Sequence, residues 1–543
     1  MNQATLNWLN YLPPLKDKSI LKLGTRKIEN IKCLINTSCK SLTCLGPRIY
    51  DYDSDNLNYC QNIRDLNTSK YDICLIDEHD YFDNQVQIER IYRIIASLLS
   101  DYGILLVGLQ NRLKEIRRKI YIKNLFYRVG FKTVETFICE PSFDEPFVIY
   151  PLSIDQQFTY TILKKSLFRE FKIKHLIKDA VRFVSLLTHA VNPFWGMFII
   201  ASKSSDEVHR FSNNSMLEDY YDRQNIDKNN IYAVWMAKRN SSKQVGVIYY
   251  GKGSDKTPMA VCKQADKNRY RSDVIKREFT NIETISKYAE EFRKNNILIP
   301  QPIYYDIKDE KHISIESAIR GNYLLTEIRQ KGMLKSSGLS TVRSTLDEVI
   351  SMQIEIQNIL TKNVKSLLPR VSKRYFENAL FVQYPWFNDT DRTDLYSEYI
   401  QHGDFTGMNI VYDDRQKLWG IIDWEWLASG FPYLFDLFYL FTSLEFREQK
   451  RKKDSIWKQY FQSFEDTYFK KNWYSDYINE AIFRCSEYYD VDRKRIFEYF
   501  MDFLLFHYNK YRLDYNVKEY VDLYTDMILF SIENKSRFIV NRN

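Results

Sequence analysis

Four apolar runs in the first 110 residues read as buried strands: IKCLIN (31–36), RIYDYD (48–53), YDICLIDE (71–78) and YGILLVGL (102–109). Runs of this length, bounded by polar residues, predict parallel strands covered on both faces. Between the last two, QVQIERIYRIIASLL (85–99) repeats its apolar positions every three or four residues and predicts a helix. Strand alternating with helix predicts βαβ units and a doubly wound sheet.

The pattern changes after a polar stretch at 203–230, the best linker candidate. GVIYYG (246–251) and PMAVCKQ (258–264) predict paired strands, and HISIESAI (312–319) predicts a third. VIKREFTNIETISKYAEEFRKN (274–295) predicts a helix with Ile275, Phe279, Ile282 and Ile285 on one face. Residues 340–543 predict mostly helix. The expected organisation is a Rossmann-like domain at 1–202, a linker at 203–230, a strand-rich lobe at 231–320 and a helix-rich lobe with its tail at 321–543.

Composition narrows this little. A chain of 543 residues exceeds one hydrophobic core. Apolar content (44%) and charged content (27%) are ordinary for globular protein. The net charge of +8 gives no nucleic-acid signal. The 41 Tyr and 34 Phe are spread throughout, which favours aromatic cores over sugar-stacking surfaces. Eight cysteines show no C-x-x-C spacing, so reduced thiols in a cytosol are expected and a zinc site is not. No leader-like N-terminus and no apolar run of membrane-spanning length is seen, which predicts a cytoplasmic protein. The basic run at 163–184 reads as a solvated helix face; the alternative is peripheral docking to anionic lipid at the inner face of a membrane.

The candidate chemistry lies in QHGDFTGMNI (401–410) and the IIDWEW that follows. His402-x-Asp404-x-x-x-x-Asn409, then Asp423 after an apolar strand, supplies what phosphoryl transfer needs. One carboxylate can take the proton of an attacking hydroxyl. An amide oxygen and a second carboxylate can hold Mg²⁺, a hard cation. The intervening NIVYDD and KLWGIID predict a hairpin that brings Asn409 and Asp423 together.

This segment resembles the aminoglycoside phosphotransferase and choline kinase-like family, a branch of the protein-kinase-like fold, over residues 231 to about 445. The carriers are His402-Gly403-Asp404, Asn409, Ile422-Asp423-Trp424-Glu425 and Asp436. The resemblance implies Asp404 as catalytic base, Asn409 and Asp423 as metal ligands, and His402 and Asp436 as supports of the loop. It implies Lys263 on the phosphates, held by Glu278, and backbone groups of Glu316, Ser317 and Ala318 at adenine. Ser241 and Ser242 stand where a phosphate loop is expected, though without its Gly. ATP and Mg²⁺ are the implied cofactors.

Residues 31–152 resemble a class I S-adenosylmethionine-dependent methyltransferase, through YDICLIDEHDYF, LLSDYGILLVGLQN and NLFYRVGFKTVETF. The family's Gly-rich cofactor loop is replaced by INTSCKSLTCLG (35–46), which puts cofactor binding and activity in doubt; Asp51 or Asp53 remain as ribose contacts. The expected fold class is thus an α/β Rossmann-like N-terminal domain followed by an α+β bilobal kinase-like domain with a helical tail. The order resembles bifunctional enzymes of bacterial surface polysaccharide synthesis. It implies a kinase for a sugar or glycan hydroxyl, with other glycan-assembly enzymes as partners. The alternatives are a kinase for an aminoglycoside, choline or similar alcohol, and a non-catalytic scaffold, above all in the N-terminal half.

Overall fold

The computed structural model describes residues 15–23, 39–46, 54–63, 70–76, 85–109, 115–140, 148–151, 196–204, 220–223, 231–237, 244–250, 257–266, 273–308, 311–330, 339–377, 399–444 and 456–539, with positions 12, 31, 34, 35, 66 and 225. Its strands begin with β1 (Ser19–Leu23), β2 (Ser41–Leu45), β3 (Leu57–Cys60) and β4 (Tyr71–Ile76). Then come α1 (Gln85–Leu98), β5 (Leu99–Leu109), α2 (Glu115–Arg128), β6 (Thr133–Glu140), β7 (Val148–Pro151) and β8 (Gly196–Ser202). Next are β9 (Ile231–Ala237), β10 (Gln244–Tyr250), β11 (Thr257–Asp266), helices α3 (Asp273–Ser286) and α4 (Ala289–Lys294), β12 (Ile297–Leu298), β13 (Pro302–Lys308) and β14 (Lys311–Ser317). Two compact units result: Met1–Ser272 with Tyr304–Ala318, and Asp273–Ile303 with Ile319–Asn543.

The first unit is built on one sheet of 13 described strands, ordered β13-β14-β11-β10-β9-β7-β6-β8-β5-β4-β1-β2-β3. Strands β1, β2, β3, β4 and β5 pair in parallel. Their runs are apolar because both faces are covered: Ile20, Leu21, Leu42, Cys74, Ile76 and Leu105 are all fully buried. The order reverses between β1 and β4, which makes a topological switch point. Beyond β5 the sheet turns antiparallel through β8 and β6. Strand β7 pairs with β6 on one side and with β9 on the other, Val148 opposite Met236 and Ile149 opposite Trp235. The sheet thus runs without a break into the antiparallel set β9, β10, β11 and β14. Gly246 faces Cys262 in the expected pair of strands β10 and β11.

Two expectations for this unit fail. IKCLIN (31–36) is not a strand among its described residues: Ile31, Leu34 and Ile35 are helical, and Ile31 and Leu34 are buried. Their i, i+3 spacing is that of a helix face, which a continuous apolar run conceals. The first strand is Ser19–Leu23, upstream of the expected one. Accordingly INTSCKSLTCLG is not the loop after the first strand; it holds a helical residue, Ile35, and all of β2. RIYDYD (48–53), with Asp51 and Asp53, lies outside the described residues, as do Ser241, Ser242 and the basic run 163–184. Inside the stretch read as linker, Tyr220 and Tyr221 are buried.

The second unit continues with β15 (Asn322–Tyr323), α5 (Leu324–Gln330), α6 (Leu339–Asn363), β16 (Ile400–Gln401), β17 (Ile410–Asp413), β18 (Leu418–Ile421) and β19 (Ala428–Ser429). It closes with α7 (Phe435–Ser443), α8 (Ile456–Tyr468), α9 (Trp473–Tyr488), α10 (Ile496–Asn509), a π-helical turn at Lys510–Tyr515 and α11 (Lys518–Glu533). The hairpin predicted around 410–421 is present, with Ile410 opposite Ile421, in a small sheet ordered β12-β18-β17-β15. Helix α3 buries Ile275, Ile282 and Ile285 as its spacing predicts, but Glu278 and Asn281 are buried beside them where Phe279 is only half-buried. The 274–295 helix also breaks at Lys287-Tyr288 into α3 and α4. A large aromatic core fills the space between α7, α8 and α10, with Phe435, Phe438, Phe500, Phe503 and Phe506 in ring contact.

Gly321 leads into β15 with φ +132°, and a Cβ there would stand 2.0 Å from the Tyr412 carbonyl oxygen on β17. Backbone cannot yield as a flexible side chain can. Gly321→Ala is expected to cost about 2–4 kcal/mol, read as a lower urea midpoint; an unchanged midpoint would contradict this packing.

Candidate functional site

The loop between β16 and β17 is held from behind by one buried acid. Asp436, in the first turn of α7, accepts the His402 N–H on Oδ2 (2.8 Å) and the Gly403 N–H on Oδ1 (2.9 Å). The Gln401 side chain accepts the Asp436 amide in return (3.1 Å). Gly403 has φ +74°, and a Cβ there would meet Trp426 at 2.7 Å, so only Gly lets the loop pass. His402 donates from Nε2 to the Ile422 carbonyl (3.1 Å), accepts the Asp404 N–H on Nδ1 (3.2 Å), and lies 4.6 Å from the Trp424 ring. Burial holds the imidazole pKa down to about 4, so it is neutral in this role. Burial also pushes the Asp436 carboxyl up to about 7, against the two N–H bonds that favour its anion.

The loop presents Asp404 at its front. Asn409 Nδ2 donates to the Asp404 carbonyl and to Oδ2, both at 2.8 Å. Burial, together with the nearby Asp404 carboxylate, pushes the Tyr439 hydroxyl well above its usual pKa. Lys510 Nζ stands 3.9 Å from Oδ1. With its amide nitrogen engaged, Asn409 keeps Oδ1 as the atom able to meet a cation.

Asp423 follows β18 in the left-handed region, φ +67°. Its carboxylate gathers with those of Glu278 and Glu425, their ligand oxygens all within 4.8 Å of one another. Helix α3 sets this group. Residues 277, 278 and 281 share a face, and Asn281 Nδ2 donates to the Trp424 carbonyl (2.8 Å) while Arg277 Nε donates to that of Glu425 (2.9 Å). Three carboxylates at this spacing repel one another unless a cation lies among them, and an all-oxygen set fits Mg²⁺. Glu425 is a residue that sequence reasoning missed. The signal was present, since Asp423-x-Glu425 follows the hairpin, but only α3 reveals it as a third carboxylate.

Lys263 and Glu278 were expected as a pair. Lys263 Nζ lies 3.0 Å from Glu316 Oε1 within β11 and β14, both side chains buried, and Glu278 belongs to the carboxylate group of the second unit. Ser317 stands opposite Ala260 in the same ladder. The Ala318 N–H donates to the Met259 carbonyl (3.0 Å), so that amide is taken up by the sheet.

No protein-family description and no curated protein matches the chain. Solved structures do. An S-adenosylmethionine-dependent methyltransferase from Archaeoglobus fulgidus is 12% identical, with a TM-score of 0.26, over 36% of this chain and 90% of that one. A second, from Mesorhizobium loti, is 11% identical with a TM-score of 0.22, over 36% and 95%. A chain of the Haloferax volcanii complex between the Trm112 methyltransferase activator and a methyltransferase is 15% identical with a TM-score of 0.25, over 37% and 89%. The N-terminal region has a Rossmann-like fold with a mixed sheet. The strand order around the β1/β4 switch point carries that statement. The segment that follows β1 in sequence, GTRKIEN (24–30), has the single Gly24 and lies outside the described residues. No helix among the described residues is long and apolar enough to cross a membrane.

Two measurements test this geometry. The raised Asp436 pKa favours the fold at low pH, and that contribution falls away as pH rises from about 4 to about 7. The lowered His402 pKa works oppositely: its contribution is full above 6.5 and is lost as pH falls toward 4. The two offset each other in wild type, so Asp436→Asn should lose melting temperature more steeply than wild type between pH 6.5 and 4. Parallel curves would refute the pairing. In calorimetry, Mg²⁺ at about 100 times its Kd should stabilise the wild type by about 2.7 kcal/mol. Asp423→Asn should abolish the shift, and retention of it in the variant would move the metal elsewhere.

Proposed function

We propose that the chain is an ATP- and Mg²⁺-dependent phosphotransferase acting on a hydroxyl of a sugar or glycan. The observation that supports this best is Asp404 held by Asn409, with Lys510 Nζ 3.9 Å away, in the same unit as the Glu278, Asp423 and Glu425 carboxylates. Asp404 orients the acceptor hydroxyl and takes its proton as the oxygen bonds the γ-phosphorus and the bond to ADP breaks. Glu278, Asp423, Glu425 and Asn409 Oδ1 would hold Mg²⁺, which supplies charge neutralisation at the phosphates. The phosphate role of Lys263 rests on the sequence resemblance alone; within its own unit its Nζ lies 3.0 Å from Glu316 Oε1. His402 and Asp436 act only through the loop they brace. The sequence resemblance to aminoglycoside phosphotransferases and choline kinases motivates the same roles. The order of the two halves motivates the polysaccharide setting, with glycan-assembly enzymes as partners.

For the N-terminal half the reading is a binding scaffold. Its fold is Rossmann-like and its sequence resembles methyltransferases, yet the segment after β1 has one Gly where that family uses several to bring backbone against the cofactor.

The test is ATP turnover with Mg²⁺ over a panel of sugars, lipid-linked glycans and amino alcohols, wild type beside Asp404→Ala. Loss of the base should lower an acceptor-stimulated rate on the order of 100-fold or more. Equal rates in the two proteins would remove Asp404 from the chemistry.

A further inference from the structure

Lys510 is an unusual neighbour for an acid that must receive a proton. Its residue is 3% exposed, and its ammonium stands 3.9 Å from Asp404 Oδ1. The same nitrogen lies 4.3 Å from the Trp426 ring centroid, 5.8 Å from Tyr439 and 5.9 Å from Phe506. Arg277 also sits over Trp426, at 5.0 Å. The indole is pinned by its Nε1 hydrogen bond to Glu425 Oε1 (2.8 Å).

The backbone under Lys510 is built to hold it there. Helix α10 passes at this residue into the π-helical turn Lys510–Tyr515, a geometry that recurs at functional sites. Asn509 anchors the junction through Nδ2 to the Tyr375 and Glu377 carbonyls, both at 2.9 Å. Asp514 anchors the far end by accepting the Tyr375 hydroxyl (2.7 Å). An ammonium is buried at this cost only where partners compensate it, and here a carboxylate and three aromatic faces do so.

We propose that Lys510 is a specificity-determining residue that excludes cationic acceptors, so that the alcohol phosphorylated here carries no positive charge, as a sugar hydroxyl does not. This rests on the assignment of Asp404 as the base. Aromatic faces beside a carboxylate are the usual seat for an amine or a quaternary ammonium. In this chain the seat is taken by the protein's own cations. A second cation would be repelled by Lys510 and would find Asp404 already compensated.

The test is binding of tetramethylammonium and choline to the full chain by titration calorimetry, without nucleotide. Wild type and Lys510→Arg should show no saturable binding. Lys510→Ala, with its fold checked by circular dichroism, should bind tetramethylammonium at least about tenfold tighter than wild type. Choline bound by wild type as tightly as by the variant would overturn the proposal, as would a folded Lys510→Ala that gains nothing. Wild type decides the matter alone if the variant fails to fold: turnover stimulated by choline or kanamycin sinks this proposal and leaves the kinase reading standing. Loss of the kinase reading shows separately, as Asp404→Ala rates equal to wild type.

Discussion

The second unit depends on burying one carboxylate. Asp436 takes two successive backbone N–H groups of the 401–409 loop, and without them those donors would face an apolar core of Trp and Phe. A buried donor left without a partner costs about 1–3 kcal/mol. That penalty makes the loop conformation an all-or-none matter. Once Asp436 is seated, Gly403 must adopt its positive φ, His402 must turn to Ile422 and Asp404 must face outward. The acid itself lies buried under the loop.

The aromatic richness of the chain has its explanation here. The rings of Trp426, of Tyr439 on α7 and of Phe506 on α10 lie around the buried Lys510 ammonium, and their faces compensate its charge. Tyr439 is the clearest case, in T-shaped ring contact with His507 at 4.3 Å and with its ring face toward Lys510. A core of aliphatic residues would pack as well but could not offset an ammonium.

In the first unit the ruling constraint is the sheet. A Rossmann-type sheet normally ends at an edge that must be protected. Here β7 pairs that edge with β9, so the edge is consumed inside the chain and the antiparallel strands carrying Lys263 and Glu316 grow from it.

Much of this was legible beforehand. Local periodicity located α1, β4, β5, the β10–β11 pair and the 410–421 hairpin, because each is fixed by neighbours within a few residues. The set Asp404, Asn409 and Asp423 was legible for the same reason, since a loop and a hairpin hold it. The strand at 19–23 was missed and the helical residues Ile31, Leu34 and Ile35 read as a strand, because a short apolar run has no period long enough to distinguish the two. The grouping of Glu278 with Asp423 and Glu425, and the position of Lys510, were invisible. Each depends on a side chain more than 70 residues distant, brought near by the packing of α3 or α10. The sequence by itself determined which residues could do chemistry, through their type and local spacing. Only the tertiary structure decided which charges share a site, because that depends on long-range burial, where an unpaired charge is too costly to remain.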